Sequence, residues 1–202
     1  MKTLNYLSAF LFCASVVSMN GQTSTTPKTG PSPAEESKQA KAVKEETFLD
    51  RYYAIKETYP TLNVCYGYYA ASSHPMKKFM ERYNEIKASY PKLTDVYGNY
   101  AASEYTLPKF SERYYQIKDT YPDIAKYHGD YAGSTQTLDE FVKRYHQIKA
   151  SAPDLADAYG QYAACSSTLE DFSSRYYSVK ASNAGMKNCY GEYAGSNKKL
   201  SK

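Results

Sequence analysis

The feature that most constrains the fold is a segment that recurs every 31 residues. It reads Phe-x-x-Arg-Tyr-x-x-Ile-Lys, with Val in place of Ile in the last copy, and it begins at Phe48, Phe79, Phe110, Phe141 and Phe172. The copies therefore span 48–78, 79–109, 110–140, 141–171 and 172–202 without an insertion. Such a period indicates one supersecondary unit copied in tandem, in which each copy buries its apolar side against its neighbours.

The apolar spacing within a unit predicts an amphipathic first helix. Apolar residues follow one another at alternating steps of three and four, as in the series Leu107, Phe110, Tyr114, Ile117 and Tyr121. These positions lie on one stripe of an α-helix of about fifteen residues. Two copies also carry a helix-start signal, because Thr137 precedes Glu140 by three residues and Thr168 precedes Asp171 by three.

A proline ends this first helix in four of the copies, at Pro60, Pro91, Pro122 and Pro153. Proline disfavours helical geometry in the residue before it and is well suited to open the next helix. A second, shorter helix is expected to follow, so that each unit is a helical hairpin. The predicted fold class is all-α, a tandem array of five 31-residue hairpins built as an α-solenoid or as a compact helical-repeat bundle.

The last copy has Asn183, Ala184 and Gly185 where the others have the Tyr-Pro corner or its Ala-Pro variant. The terminal unit of an open array faces solvent on one side and loses part of its packing constraint. The degraded copy is therefore interpreted as the exposed end of the array.

The spacing Phe110-x3-Tyr114-x2-Ile117-x4-Pro122 resembles the second helix of the tetratricopeptide repeat. The resemblance covers half a unit and implies a similar stacking of helical hairpins. The period departs from that family's period of about 34 residues, and Gly129 to Tyr131 does not match its Gly-x2-Tyr pattern.

A glycine recurs inside the second helix, at Gly67, Gly98, Gly129, Gly160 and Gly191. Each costs about 1 kcal/mol relative to alanine in a helix interior, so five of them need a physical reason. One interpretation is a small-residue face, shared with the alanine three positions later, that lets the first helix approach closely. The other is a helix break with the glycine in a left-handed turn. The packing interpretation is favoured.

The N-terminal part is predicted to be a leader and a linker. Residues 1–21 combine Lys2 with the apolar run Leu7 to Val17 and small residues beyond it, a pattern typical of a secretory signal peptide. Residues 22–47 comprise a Ser/Thr/Pro-rich linker and a Lys/Glu-rich lead-in that favours a solvated helix. We expect a secreted, extracellular protein without a membrane span, because no other stretch approaches the 18 to 20 or so apolar residues of a membrane helix.

The cysteine content argues against a disulfide-stabilised fold, and the charge distribution argues against a nucleic-acid-binding protein. After cleavage of a leader that contains Cys13, three cysteines remain, namely Cys65, Cys165 and Cys189. An odd number is not a disulfide framework, and it leaves at least one thiol free or available for an intermolecular bond. The formal charge of +4 becomes +3 once Lys2 is lost. Because basic residues are dispersed among acids in every copy, we expect no nucleic-acid binding.

No residue pattern supports catalysis. His74, His128 and His146 occupy three different repeat positions, and none has neighbours at metal-ligand or nucleophile–base spacing. We therefore predict a non-enzymatic protein without catalytic residues, metal or cofactor, and expect each histidine at the surface or at the edge of a helical stripe.

The candidate binding residues are two basic rows that recur in every copy and flank the apolar stripe. They are Arg51, Arg82, Arg113, Arg144 and Arg175, and Lys56, Lys87, Lys118, Lys149 and Lys180. In one interpretation their stems cover the stripe edges while the charges reach water or pair locally, as Arg144 would with Glu140 and Arg175 with Asp171. In the other, the guanidinium groups form a ladder for an extended anionic ligand.

Tyrosine is abundant, with 24 residues and no tryptophan. Most tyrosines lie on the helical stripes and are predicted to pack with their hydroxyls at the core edge. Six lie elsewhere, at Tyr53, Tyr68, Tyr105, Tyr115, Tyr127 and Tyr177.

The leading functional hypothesis is a secreted repeat protein that binds another macromolecule, an extracellular protein or polysaccharide, along an extended surface. Secretion, few cysteines and the lack of an enzyme motif are also typical of host-directed effector proteins. An alternative is an extracellular structural, coat or adhesive component with cross-linked tyrosine and lysine. A further alternative is a secreted precursor cut into repeated peptides.

Overall fold

The computed structural model describes residues 45–201. Within that range every regular element is helical and there is no strand, which confirms the all-α prediction. The predicted signal peptide and residues 22–44 of the predicted linker lie outside the described residues. Residues 45–47, at the end of the predicted lead-in, are not helical and run directly into the first helix.

Long and short α-helices alternate along the chain. The long helices are α1 (Phe48–Thr58), α3 (Met76–Ser89), α5 (Leu107–Thr120), α7 (Leu138–Ser151) and α9 (Leu169–Ser182). The short helices are α2 (Tyr66–Ala71), α4 (Tyr97–Ala102), α6 (His128–Gly133), α8 (Tyr159–Ala164) and α10 (Tyr190–Gly195). A 3-10 segment precedes each short helix, at Asn63–Cys65, Thr94–Val96, Pro122–Tyr127, Pro153–Leu155 and Ala184–Cys189. Each long helix packs against the short helix that follows it.

The predicted helix starts are observed. The Thr137 hydroxyl accepts a hydrogen bond from the Glu140 amide at 3.3 Å, and Thr168 accepts one from the Asp171 amide at 3.1 Å. A fully reciprocal capping box occurs at Thr47 and Asp50, where the side chain of each residue bonds the backbone N–H of the other. These bonds satisfy amides that the first turn of a helix leaves without partners.

The five short helices form a closed inner ring. Each of α2, α4, α6 and α8 packs against the next short helix, and α10 packs against both α8 and α2. The last hairpin therefore has a neighbour on both sides, and the interpretation of the fifth copy as a solvent-facing end is wrong. Its altered corner, at Asn183 to Gly185, lies in the connection between α9 and α10.

The same aromatic pair joins every hairpin to the next one. Each recurring phenylalanine is fully buried and meets, edge to face, a tyrosine from the short helix of the preceding hairpin. The ring centroids are 5.3 Å apart for Tyr69–Phe79, 5.3 Å for Tyr100–Phe110, 5.4 Å for Tyr131–Phe141 and 5.3 Å for Tyr162–Phe172. Tyr193 makes this contact with Phe48 at 5.2 Å. The fifth hairpin thus packs on the first with the geometry used throughout the ring.

The C-terminal segment completes the first helix. The Phe48 amide donates to the Lys199 carbonyl at 2.9 Å and the Leu49 amide donates to the Leu200 carbonyl at 3.1 Å. In the other copies the corresponding phenylalanine amide bonds the carbonyl of the residue four positions earlier in the chain, as Phe141 does with Thr137. Leu200 also packs against the core. The chain end therefore supplies the turn that α1 lacks and fastens the ring.

The recurring glycines remain helical, since none of them adopts a left-handed conformation. The group that approaches each one is a side chain from the neighbouring hairpin, and this differs from the predicted approach of the first helix. A Cβ on Gly98 would lie 2.5 Å from the Tyr68 ring, and one on Gly160 would lie 1.9 Å from the Asp130 carboxylate. The missing side chain therefore makes room for the ring contact between short helices.

We expect Gly129→Ala to lower the free energy of unfolding by about 1–3 kcal/mol, because overpacking outweighs the gain in helix propensity. The added Cβ would lie 2.8 Å from the stiff Val96 side chain and 2.7 Å from the Asn99 amide oxygen. Gly185→Ala is the matched control, since nothing lies within 4 Å of the added atom. Urea unfolding of both variants checks this, and equal stability of the two would contradict the packing role.

Candidate functional site

The recurring arginines bind the ends of the short helices. The Arg144 side chain donates to the Tyr162 carbonyl at 3.0 Å, at the end of α8, and to the Ser167 carbonyl at 2.7 Å in the following loop. Its guanidinium carbon lies 4.1 Å from the centre of the Tyr162 ring. Helix ends leave carbonyl groups without partners, and a guanidinium fork satisfies several of them at once.

All five arginines share this arrangement. The helix-end carbonyls are those of Tyr69, Tyr100, Tyr131, Tyr162 and Tyr193, and the loop carbonyls are those of His74, Tyr105, Gln136, Ser167 and Lys198. Within the described residues, neither Arg144 nor Arg175 forms the ion pair proposed with Glu140 or Asp171. The charges pair locally, as the first interpretation holds, but with backbone carbonyls, and Arg51 in addition forms an ion pair with Glu46 at 2.9 Å. A role of the arginine row in ligand binding stays a prediction.

The recurring lysines lie on the opposite edge of the long helices, and all five are exposed. In four of them the ammonium nitrogen lies over the ring of a tyrosine three or four residues earlier. Its distance from the ring centroid is 5.9 Å for Lys56 and Tyr52, 5.6 Å for Lys118 and Tyr115, 5.6 Å for Lys149 and Tyr145, and 5.8 Å for Lys180 and Tyr176. These cation–π contacts orient the side chains and leave the charges in water. The structure therefore separates the two predicted rows into an internal arginine row and an external lysine row.

Three of the six off-stripe tyrosines join the lysines on this outer side. Tyr53, Tyr115 and Tyr177 are 53%, 41% and 42% exposed, in the first, third and fifth hairpins. The other three are less exposed: Tyr127 is buried, and Tyr68 and Tyr105 are half-buried. We call the exposed surface formed by the five lysines and these three tyrosines the lysine face.

A second site, which the sequence reasoning missed, lies on the axis of the ring. A cavity of about 230 Å³ is lined by residues from all five short helices and the residues that follow them. Tyr68, Asn99, Asp130, Gln161 and Glu192 form one layer of its lining. Next come Ala71, Ala102, Gly133, Ala164 and Gly195, followed by Ser72, Ser103, Ser134, Cys165 and Ser196. We call this space the axial cavity.

Asp130 is the more deeply buried of two acids in the axial cavity. Its side chain is 8% exposed and accepts a hydrogen bond from the Asn99 amide at 2.9 Å. Burial raises the pKa of this carboxyl to about 7, and the hydrogen bond from Asn99 and the charge of Lys126 oppose the shift only in part.

Glu192 is the second acid of the axial cavity. The Gln161 amide nitrogen lies 3.5 Å from its carboxylate, a long hydrogen bond. Burial raises the pKa of Glu192 to about 8, and the charges of Asp130 and Asp157 add to the shift. The two acids therefore repel one another when both are ionised.

We expect the protein to become more stable as the pH falls from 9 to 5. Both acids have a folded pKa above the unfolded value of about 4, so their contribution is complete below pH 4 and is lost as the pH rises through 7 and 8. The Asp130→Asn, Glu192→Gln variant should remove most of this slope and raise the Tm at pH 9 by several degrees, on the order of 2–4 °C per kcal/mol. Thermal unfolding at several pH values measures it, with the exposed Glu57→Gln as control.

The cysteines and two histidines are buried or partly buried. Cys65, Cys165 and Cys189 are free thiols, and burial raises the pKa of Cys65 and Cys189 to about 12. Because the ring is closed, Cys65 and Cys189 lie in adjacent hairpins and not at opposite ends. His74 and His128 are 3% and 2% exposed, so the prediction of surface or stripe-edge positions is wrong for both. His128 bonds the Tyr121 carbonyl at 2.9 Å, the role that a tyrosine hydroxyl fills in other hairpins, as Tyr97 does with Tyr90.

No protein-family model, curated protein or solved structure matches the chain. Within residues 45–201 no helix is long and apolar enough to cross a membrane. The same range contains no group of three or more His, Cys, Asp and Glu side chains placed to hold a metal ion.

Proposed function

We propose that this chain is a secreted, non-enzymatic protein whose five 31-residue hairpins bind another protein through the lysine face. The observation that carries the proposal is the division of the two basic rows. Every arginine donates to carbonyl groups inside its own hairpin, whereas every lysine leaves its charge exposed. A role as a host-directed effector is one form of this proposal.

The chemistry of the lysine face favours an acidic protein as partner. In the first three hairpins one exposed acid lies near each lysine, namely Glu57, Glu85 and Asp119. The long helices of the fourth and fifth hairpins have Ala150 and Ala181 directly after the lysine and no acid beyond their first turn. Two acids of the connection that follows α7, Asp154 and Asp157, are occupied as hydrogen-bond acceptors of Tyr177 and Tyr176. Complementary charge steers association and selects partners, and exposed tyrosines supply apolar contact area. The fourth and fifth hairpins are therefore proposed as the centre of the interface.

Affinity capture from the extracellular material of the source organism tests the proposal. Wild type is expected to retain an acidic protein that the Lys149→Glu, Lys180→Glu variant loses, and that the matched Lys149→Arg, Lys180→Arg variant keeps. Salt should weaken the capture, because exposed charges are screened. Repeated recovery of no partner, or equal capture by the charge-reversed variant, would argue against the proposal. A partner that survives protease but not glycosidase treatment would show that the lysine face binds a polysaccharide.

A second candidate function, a cross-linked extracellular coat or adhesive component, is favoured by the exposure of Tyr53, Tyr115 and Tyr177, the last two beside Lys118 and Lys180. Acid hydrolysis of native material should then release dityrosine or dihydroxyphenylalanine. Material that lacks both products would remove this candidate.

A further inference from the structure

Tyr177 differs from the other exposed tyrosines of the lysine face in the partner of its hydroxyl group. It donates a hydrogen bond to the Asp154 carboxylate, which lies in the 3-10 segment Pro153–Leu155 of the preceding hairpin. Asp154 is exposed to solvent as well. The hydroxyl therefore stands at the surface with a proton acceptor already bound to it.

The other two exposed tyrosines, Tyr53 and Tyr115, occupy the same place in their own hairpins but lack this acceptor. The residue equivalent to Asp154 stands 23 residues before the tyrosine, and for Tyr115 it is Lys92. For Tyr53 the preceding hairpin is the fifth, because the ring is closed, and the equivalent residue is Gly185. Among the described residues, the carboxylate thus accompanies one of the three exposed tyrosines.

Tyr115 matches Tyr177 in exposure and in its aromatic and basic neighbours. The two residues are 41% and 42% exposed. Each has a lysine ammonium over its ring, 5.6 Å from the centroid for Lys118 and 6.0 Å for Lys180, and each meets the preceding tyrosine edge to face. Comparison of the two tyrosines therefore isolates the effect of the carboxylate.

A carboxylate bound to the hydroxyl makes a phenol easier to oxidise by one electron. Removal of an electron from the ring turns the hydroxyl into a strong acid, so its proton must leave with the electron. An acceptor within hydrogen-bond reach takes that proton directly. The same bond raises the pKa of Tyr177, so the phenol and not the phenolate is the form that reacts.

We propose that Tyr177 is a site of oxidative tyrosine coupling and that Asp154 accepts its proton. A one-electron oxidant of the peroxidase class takes an electron from the ring while the hydroxyl proton passes to Asp154 and then to water. Two such radicals, on two copies of the chain, form a carbon–carbon bond ortho to the hydroxyl groups, and the hydrogen on each of these carbons moves to the oxygen and restores the phenol. The two electrons and two protons reduce one hydrogen peroxide to two molecules of water. The biological role of this coupling rests on the second candidate function.

Oxidation of the full chain with peroxidase and limiting hydrogen peroxide tests the proposal, followed by dityrosine fluorescence and mass spectrometry of the cross-linked peptides. A dityrosine between two copies of Tyr177 is expected to be the main product, and Tyr177→Phe should remove it. Exposure alone predicts a different order, because Tyr53 is 53% exposed and Tyr177 is 42% exposed. The mapped peptides therefore separate the two explanations.

Two single substitutions test the role of the carboxylate. Asp154→Asn keeps the shape of the acceptor but removes its basicity, and it should slow coupling at Tyr177 about tenfold or more. Lys92→Asp places a carboxylate at the equivalent position before Tyr115, and it should raise coupling at Tyr115 severalfold. Both substituted residues are exposed, so neither change disturbs the core, and circular dichroism checks the fold of each variant.

Three results would overturn the assignment of Tyr177. They are coupling led by the more exposed Tyr53, no coupling at all, and an unchanged rate at Tyr177 in the Asp154→Asn variant. Native material without dityrosine removes the second candidate function but leaves the preference measured with purified chain unaffected. Failure of partner capture by the lysine face also leaves it unaffected, because the purified chain is oxidised without a partner.

Discussion

Arg144→Met is expected to lower the free energy of unfolding by about 3–4 kcal/mol, and Arg144→Lys by about 2 kcal/mol. The guanidinium group bonds the carbonyls of Tyr162 and Ser167 and stacks on the Tyr162 ring. Its removal takes this donor from the Ser167 carbonyl and leaves the Tyr162 carbonyl, at the end of α8, with Cys165 alone as donor. Lysine carries the charge but cannot reach several acceptors in one plane, so the conservative change should restore only part of the stability.

Urea unfolding followed by circular dichroism measures both changes. Lys149→Met is the matched control, because Lys149 is exposed on the same helix and should alter stability by no more than about 0.5 kcal/mol. An Arg144→Lys variant as stable as wild type, or a loss below about 1 kcal/mol for Arg144→Met, would refute the structural role of the arginine row. The row would then be available for the ligand-binding role predicted from the sequence.

Removal of residues 199–202 should lower the free energy of unfolding by about 2–4 kcal/mol. The truncation deletes the carbonyls that bind the amides of Phe48 and Leu49, each bond contributing about 1 kcal/mol, and it exposes core surface that Leu200 covers. It keeps Lys198, whose carbonyl accepts a hydrogen bond from Arg175 at 2.8 Å.

Removal of residues 201–202 alone is the matched control, since Leu200 and both backbone bonds remain. Hydrogen exchange should accelerate at Phe48 and Leu49 in the longer truncation only. Equal stability of the two truncated chains would show that the C-terminal segment does not fasten the ring.

Helical periodicity predicted the all-α structure because the spacing of Phe110, Tyr114 and Ile117 reports which face of a helix is buried. Thr137 and Thr168 likewise marked helix starts, because capping depends on residues only three positions apart. Such local signals do not specify how one hairpin sits on the next. That geometry depends on the side chain that fills the space above each glycine, and Tyr68 and Asp130 fill it differently.

Closure of the ring nevertheless has a signal in the sequence. Leu107, Leu138 and Leu169 stand three residues before Phe110, Phe141 and Phe172, and Leu200 recurs at the same 31-residue period. Met76 holds this position before Phe79, and Glu45, the one charged residue among the five, holds it before Phe48. In the ring Leu200, and not Glu45, packs against the core beside α1, and its carbonyl binds the Leu49 amide.

The axial cavity was not predicted, because it also depends on how the hairpins pack on one another. Its first layer is the residue between the glycine and the tyrosine of each short helix, namely Tyr68, Asn99, Asp130, Gln161 and Glu192. Within a single hairpin this residue is indistinguishable from an ordinary variable surface position. Its five residues converge only because the ring is closed. The arginine row was assigned two roles because a helical projection gives the direction of a side chain but not the carbonyl groups it reaches.

The closed ring is tested most directly by nuclear Overhauser contacts between the rings of Phe48 and Tyr193, whose centroids lie 5.2 Å apart. A sample with protonated phenylalanine and tyrosine in an otherwise deuterated chain restricts the spectrum to contacts between these rings, and assignment of Phe48 and Tyr193 separates their contact from the four other Phe–Tyr pairs. We expect a strong contact between the two rings that persists when the labelled chain is diluted with fully deuterated chain. Absence of the contact, or its loss on dilution as expected for an exchange between two copies, would contradict closure within one chain.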